Sequence, residues 1–260
     1  MQIKANGISI NYEIDGSAEA PWLIFSNSLA TNLAAWDDQA GEFKRAFRVL
    51  RYDQRGHGKT EAPGGRYSFD VLINDALALM DALAIQKAHF AGLSMGGATA
   101  LGMAELHPER LEKVIVCDSP CQSTAASTQQ WEERIAVAEK QGMEALVEPT
   151  VTRWFPPEAI KTNPPHVDKI RQMIRSTPLQ GFIGCAAALA NHDYASAATS
   201  VKRPVLFVAG EKDGVTPAAM RKLSERVPGS RYVELAGAGH ISNLDAPDAF
   251  NRALAEFLKA

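Results

Sequence analysis

Five short apolar runs, each closed by turn residues and separated by stretches with helical spacing, constrain this chain's fold more than any other feature. They occupy residues 21–25, 48–52, 88–92, 114–117 and 204–208. Apolar runs without polar alternation suit strands covered on both faces, which is the condition of a parallel sheet. Helical segments lie between them. Residues 68–83 offer Ser68 as N-cap, Asp70 in the first turn and apolar positions at Leu72, Ala76, Leu79 and Leu83. Further helices are expected at 216–226 and at 247–258, the latter opening on proline, where a missing N–H costs little. Ahead of these elements, residues 2–4 and 9–14 read as a hairpin turning at Asn6-Gly7. Strand and helix in alternation specify an α/β fold with a doubly wound, mostly parallel sheet.

The rhythm breaks between residues 119 and 199. That stretch has helix-like pieces, Pro156-Pro157 and Pro164-Pro165 breaks, and no convincing strand, so we expect a helical cap inserted into a core made of residues 1–118 and 200–260. A chain of 260 residues, 46% hydrophobic and 22% charged, can bury one full core with such an insertion.

A net charge of -3 with scattered Lys and Arg provides no basic face for nucleic acid or anionic membrane, so the expected partner is a small molecule. The first 15 residues lack the basic and continuously apolar regions of a secretory signal, and no stretch is long and apolar enough to span a bilayer. Three cysteines, Cys117, Cys121 and Cys185, cannot all pair and form no CxxC. A reducing, cytoplasmic compartment fits them better than a disulfide framework. Cys117 and Cys121 read as thiols rather than half of a metal site, because no His/Cys pair accompanies them.

Gly92-Leu93-Ser94-Met95-Gly96 has the pattern GxSxG, directly after an apolar run and directly before a small-residue helix from Gly97. In that context it is a nucleophile elbow, which pushes the serine up from the sheet at a helix N-terminus. A serine hydroxyl needs a base, and the base needs a third group to hold its tautomer. In the chain order of this arrangement both follow the serine. His240, in the glycine-bracketed loop Gly237-Ala238-Gly239-His240, is the expected base, ahead of His107, His166 and His192. Asp213, on the loop after the apolar strand that ends near Ala209, is the expected acid, with Asp118 and Glu211 as rivals.

The second oxyanion donor should come from the loop after the run that ends at Ser26; if Asn27 and Ser28 occupy the positions where many related hydrolases carry His-Gly, the backbone N–H groups of Leu29 and Met95 form the hole. Asp53-Gln54-Arg55-Gly56-His57-Gly58 lies upstream of the serine. It reads as a structural turn, tied by Asp53 and Arg55, rather than as a catalytic site for His57. Gly64-Gly65 and Gly96-Gly97 belong to no phosphate loop.

Ser26-Asn27-Ser28-Leu29 with Trp36-Asp37, residues 47–53 with Arg55-Gly56-His57-Gly58, His89-Phe90 before the GxSxG, Arg153-Trp154-Phe155, and His240-Ile241-Ser242-Asn243 run over nearly the whole chain. Together they resemble the 3-oxoadipate enol-lactonases of the α/β-hydrolase fold. The Ser-Asn-Ser-Leu and His-Ile-Ser-Asn segments are the most specific. Asn27-Ser28 stands where many related hydrolases carry His-Gly, and Ala30 departs from the glycine expected in the family. The resemblance implies hydrolysis of 3-oxoadipate enol-lactone in the β-ketoadipate route of aromatic catabolism, with no metal and no organic cofactor. It also supports Ser94, Asp213 and His240 as the triad.

Such a substrate carries a carboxylate. Arg134 is the first choice to bind it, Arg153 and Arg175 are alternatives, and Trp154 is either a pocket wall or core. Competing readings are a broad carboxylesterase or a cofactor-free perhydrolase on the same scaffold, and, from another class, a non-catalytic small-molecule receptor.

Overall fold

A computed structural model describes residues 1–195, 199 and 201–259. The chain opens with β1 (Gln2–Ala5) and β2 (Ile8–Asp15), antiparallel through the pairs Ile3–Ile10 and Ala5–Ile8. Their turn residues Asn6 and Gly7 have φ of 45° and 77°, the two positive values that a twist-matched two-residue hairpin requires. Six parallel strands follow: β3 (Trp22–Ser26), β4 (Arg48–Tyr52), β5 (Ala88–Leu93), β6 (Leu111–Cys117), β7 (Val205–Gly210) and β8 (Arg231–Leu235). They complete one eight-stranded sheet in the order β1-β2-β4-β3-β5-β6-β7-β8.

Every residue of β7 is buried, and β5 and β6 are buried over their last four residues, as expected of strands covered on both faces. Helices α1 (Asp37–Phe43) and α11 (Pro247–Lys259) pack on each other and on β4, β7 and β8. Helices α2 (Phe69–Ala82) and α3 (Met95–Leu106) pack on each other and on β1, β3, β5 and β6. A further helix, α9 (Thr216–Ser224), lies between β7 and β8 in the chain, and the single turn α10 (Ser242–Asp245) precedes α11. Ser68 stands at the N-cap of α2 in extended conformation, but its hydroxyl makes no capping bond. Its carbonyl takes the N–H groups of Val71 and Leu72 instead.

Between β6 and β7 come α4 (Ala125–Gln141), α5 (Glu144–Trp154), α6 (Pro157–Thr162), α7 (Pro165–Ser176) and α8 (Leu179–Ala190). Pro157 and Pro165 are the first residues of α6 and α7, where proline's absent N–H has no intrahelical partner to lose. The capping box between Thr124 and Ser127 fixes the start of α4. Helix α8 is almost wholly buried, packs along α4, and seats Gly181 directly on Gly56 of the core. A Cβ on either glycine would collide with the other's backbone. The expected end of the insertion falls beside residues 196–198 and 200, outside the described residues. Among the described residues no helix is long and apolar enough to cross a membrane, and Cys117, Cys121 and Cys185 are free thiols, the first and last buried.

Candidate functional site

Ser94 is the single residue between β5 and α3, with φ 54° and ψ -111°. That conformation is strained for a residue with a Cβ, of order 1–3 kcal/mol, and persists only where neighbours over-determine it. Here they do. A Cβ on Gly92 would strike the Gly96 carbonyl, one on Gly96 would strike the carbonyl of Ser26, and one on Gly97 would press into Ser119. The Ser94 N–H donates to the Cys117 carbonyl at 2.8 Å. The glycines of the motif therefore serve close approach, and α3 begins at Met95, two residues earlier than expected from the sequence.

The hydroxyl of Ser94 lies 2.9 Å from Nε2 of His240, whose Nδ1 lies 2.8 Å from Oδ2 of Asp213. A carboxylate can only accept, so Nδ1 carries the proton and Nε2 is left to accept from the serine. All three line one cavity of about 610 Å³. The loop bearing His240 is fastened to the helices between β6 and β7, because the His240 N–H donates to the Trp154 carbonyl at the end of α5 over 2.7 Å. The Trp154 ring stacks on the imidazole at 5.5 Å and 26°. Trp154 thus answers to both expectations: it is 2% exposed, and it walls the cavity.

The rival acids have other tasks. Asp118, fully buried at the end of β6, accepts the Gly210 N–H at 2.7 Å and the Ser242 hydroxyl, and so joins the loop of Asp213 to the loop of His240. Burial, and then the neighbouring Asp213, hold its pKa well above the usual carboxylate range. Glu211 accepts from the Gly237 N–H and from Lys212. Of the rival histidines, His166 contacts Asp245, His107 faces Glu109, and His192 is bound by Ser123 and the Leu189 carbonyl.

Met95 is the first residue of α3, where an N–H has no intrahelical acceptor, and Leu29 lines the cavity beside Ser94. The Leu29 loop is held by side chains from the turn after β4. Asn27 accepts the Gln54 N–H at 3.1 Å, and its own carbonyl accepts from the Gln54 amide at 2.7 Å. Ala30, the departure from glycine, has φ 58°, a region in which glycine is at ease.

Two sequence expectations need correction. Arg55 does not tie its own turn to Asp53. Both oxygens of Asp53 are taken by Leu33, Asn11 and Lys59, and Arg55 forms a two-pronged buried pair with Asp75 of α2 instead. Arg134 does not line the cavity. Ser127, Gln130 and Trp131 of α4 do, and Arg134, one turn further on, packs against the Trp131 indole. There its guanidinium stacks at 4.6 Å from the ring centre and donates to the Thr150 hydroxyl. Arg153 reaches the cavity, 5.4 Å from the same indole, while Arg175 is spent on Glu144 at the surface. The sequence held no signal for the Asp118–Ser242 link or for the backbone tie at Trp154, since both depend on loops more than 80 residues apart.

The α/β hydrolase fold family matches residues 21–247. The 3-oxoadipate enol-lactonase 2 of Acinetobacter baylyi is 38% identical over 99% of this chain and 96% of its own length, and 3-oxoadipate enol-lactonase 1 of the same organism is 33% identical over 98% and 94%. Among solved structures, the enol-lactonase from Burkholderia xenovorans superposes with a TM-score of 0.96 at 38% identity, covering all of both chains.

Proposed function

This chain belongs to the 3-oxoadipate enol-lactonases of the α/β-hydrolase fold, and on that premise we propose that it hydrolyses 3-oxoadipate enol-lactone to 3-oxoadipate with Ser94 as nucleophile, His240 as general base and Asp213 as the acid that orients the histidine. The observation that carries this reading is the unbroken relay Ser94–His240–Asp213, 2.9 and 2.8 Å, opening on a cavity.

Ser94 Oγ forms a bond to the lactone carbonyl carbon as its proton passes to His240 Nε2. The N–H groups of Leu29 and Met95 hold the oxyanion, aided by the positive end of α3. Collapse breaks the ring C–O bond, and His240 returns the proton to the departing enol oxygen. The enol, still on the acylated molecule, becomes the ketone, which discourages reclosure. Water deprotonated by His240 then releases the acid and restores Ser94. Residues 119–199 act as the cap that closes the cavity over the rim of the core. Within it Arg153 binds the substrate carboxylate. Its fork matches a carboxylate bidentately, and the partly dry cavity, whose burial lowers the Arg153 pKa, strengthens the pair.

The test is direct. Purified protein added to the enol-lactone should abolish its ultraviolet absorbance, Ser94→Ala should not, and a fluorophosphonate should label the wild type but not the variant. A wild-type protein that leaves the lactone intact, or a Ser94→Ala variant that turns it over, would remove the proposal.

A further inference from the structure

The Asp53–Gly58 turn takes no part in the proposed chemistry, yet it carries the mould of the oxyanion loop. We propose that His57 is a positioning residue for the oxyanion donor at Leu29, acting through the peptide that joins Leu29 to Ala30. The inference deepens the enol-lactonase reading and rests on it.

His57 is fully buried, and both ring nitrogens are used. Nε2 lies 2.9 Å from the Ala30 N–H, and Nδ1 lies 3.0 Å from the Arg55 carbonyl. An N–H can only donate, so Nε2 accepts, and Nδ1 carries the proton and donates that N–H to the Arg55 carbonyl. The imidazole must be neutral for this, and burial pushes its pKa down to about 4. The bond falls where the loop has greatest need of it. Ala30 is buried at φ 58°, a conformation that a side chain disfavours. Holding its N–H fixes the plane of the Leu29–Ala30 peptide, and so limits rotation about the Leu29 Cα, which joins that plane to the Ser28–Leu29 peptide carrying the Leu29 N–H.

The ends of the loop are anchored separately. Gln54 bonds Asn27 twice, and Asp53 accepts the Leu33 N–H at 2.7 Å. Asn27 also donates to the Ser28 and Thr31 carbonyls, and Thr31 bonds back to Ser28, so loss of the imidazole frees the Ala30 N–H and the Leu29–Ala30 peptide alone while the residues on either side stay attached. The turn is itself pinned, since Gly56 (φ 73°) seats on Gly181 of α8 and Gly58 (φ 53°) is packed against the Asp53 carboxylate. A histidine in a glycine-rich turn upstream of the nucleophile thus acts on the reaction through one backbone amide, without touching the substrate.

The experiment compares His57→Ala and His57→Gln with wild type, with folding at the assay temperature verified by circular dichroism and thermal melting. A freed oxyanion donor should lower kcat on the order of tenfold to a hundredfold while KM stays within about twofold, because binding of the intact lactone uses the oxyanion donor little. Gln, whose amide oxygen can accept in place of Nε2, should recover much of the loss. A folded His57→Ala with wild-type kcat, or a loss confined to KM, overturns the proposal. If His57→Ala does not fold, Ala30→Gly in the same background relieves the left-handed strain. That double variant should remain slow, and wild-type kcat in it would show that the imidazole only relieved strain. Ser94→Ala runs alongside: activity in that variant refutes the function itself, whereas an inactive Ser94→Ala beside a fully active His57→Ala refutes only the role of His57.

Discussion

Replacing Asp118 tests the site's architecture most sharply, because two substitutions at one position should move in opposite directions. Asp118→Ala leaves the Gly210 N–H and the Ser242 hydroxyl buried without their acceptor. Each such orphan costs about 1–3 kcal/mol, so the pair costs about 2–6 kcal/mol. For a chain of this size that is a fall of between about 4 and 24 °C in Tm. Asp118→Asn keeps an oxygen for Gly210 and presents an NH₂ to Ser242. It also suits the backbone, since Asp118 sits at φ 47°, where Asn is among the best-tolerated side chains.

The pH dependence has a definite sign. The folded-state pKa of Asp118 is raised above its ordinary value of 3.8. Its protonated form therefore favours the fold, and that contribution is complete below about pH 4. It is lost as pH rises from there through the folded-state pKa. Asn cannot ionise, so Asp118→Asn should match wild type near pH 4 and exceed it in Tm by a margin that grows toward neutral pH. Thermal melts of the three proteins across pH 4–8 check this, with lactone turnover measured in parallel. Asp118→Asn should keep most of its kcat, because the Asp213 carboxylate still accepts from His240 Nδ1. An Asn variant as unstable as the Ala variant, or one whose advantage does not change with pH, refutes the argument. An inactive but stable Asn variant would make Asp118 the acid after all.

Asp213→Asn should leave the fold intact and lower kcat by roughly a thousandfold or more, since an amide no longer holds the histidine in the productive tautomer; stopped-flow turnover beside a melting curve separates the two effects. Arg153→Ala should raise KM for the lactone at least tenfold with a smaller change in kcat, whereas Arg134→Ala should act chiefly on Tm through lost stacking on Trp131; equal KM effects in the two variants would return Arg134 to the binding site. Gly96→Ala should yield little folded protein at 37 °C, because the added methyl meets the Ser26 backbone rather than a side chain that can move, as measured by soluble yield and circular dichroism.

The parts of the molecule that could be read from its sequence are those that local chemistry dictates. Asn6-Gly7 favours a tight turn of positive φ, the run at 204–208 has no solvated face to offer, and GxSxG between strand and helix leaves Ser94 one conformation. That His240 and Asp213 come together beside Ser94 was legible because they stand on loops following strands, in the order that the proposed triad requires. That Arg134 lies outside the cavity lining could not be read, because spacing along α4 reports which side a residue faces but not where along the helix the cavity ends. Asp118 and Asp213 both follow strands that run side by side, and only the geometry of the two loops around position 210 separates them. The division of labour at Arg55 had the same cause: its partner Asp75 lies 20 residues on, within a helix whose apolar pattern gives no hint of a buried carboxylate.

The bond between the His240 amide and the Trp154 carbonyl joins main chain to main chain. Such a joint places no demand on which side chains the helical segment displays, so binding preferences can diversify by substitution there while the base stays in register. It does demand that a carbonyl arrive at one fixed point. Lengthening or shortening the segment before residue 154 should therefore disturb proton transfer even when every residue touching the lactone is kept, and a chimaera carrying another enzyme's segment would have to reproduce that arrival before its chemistry could be inherited.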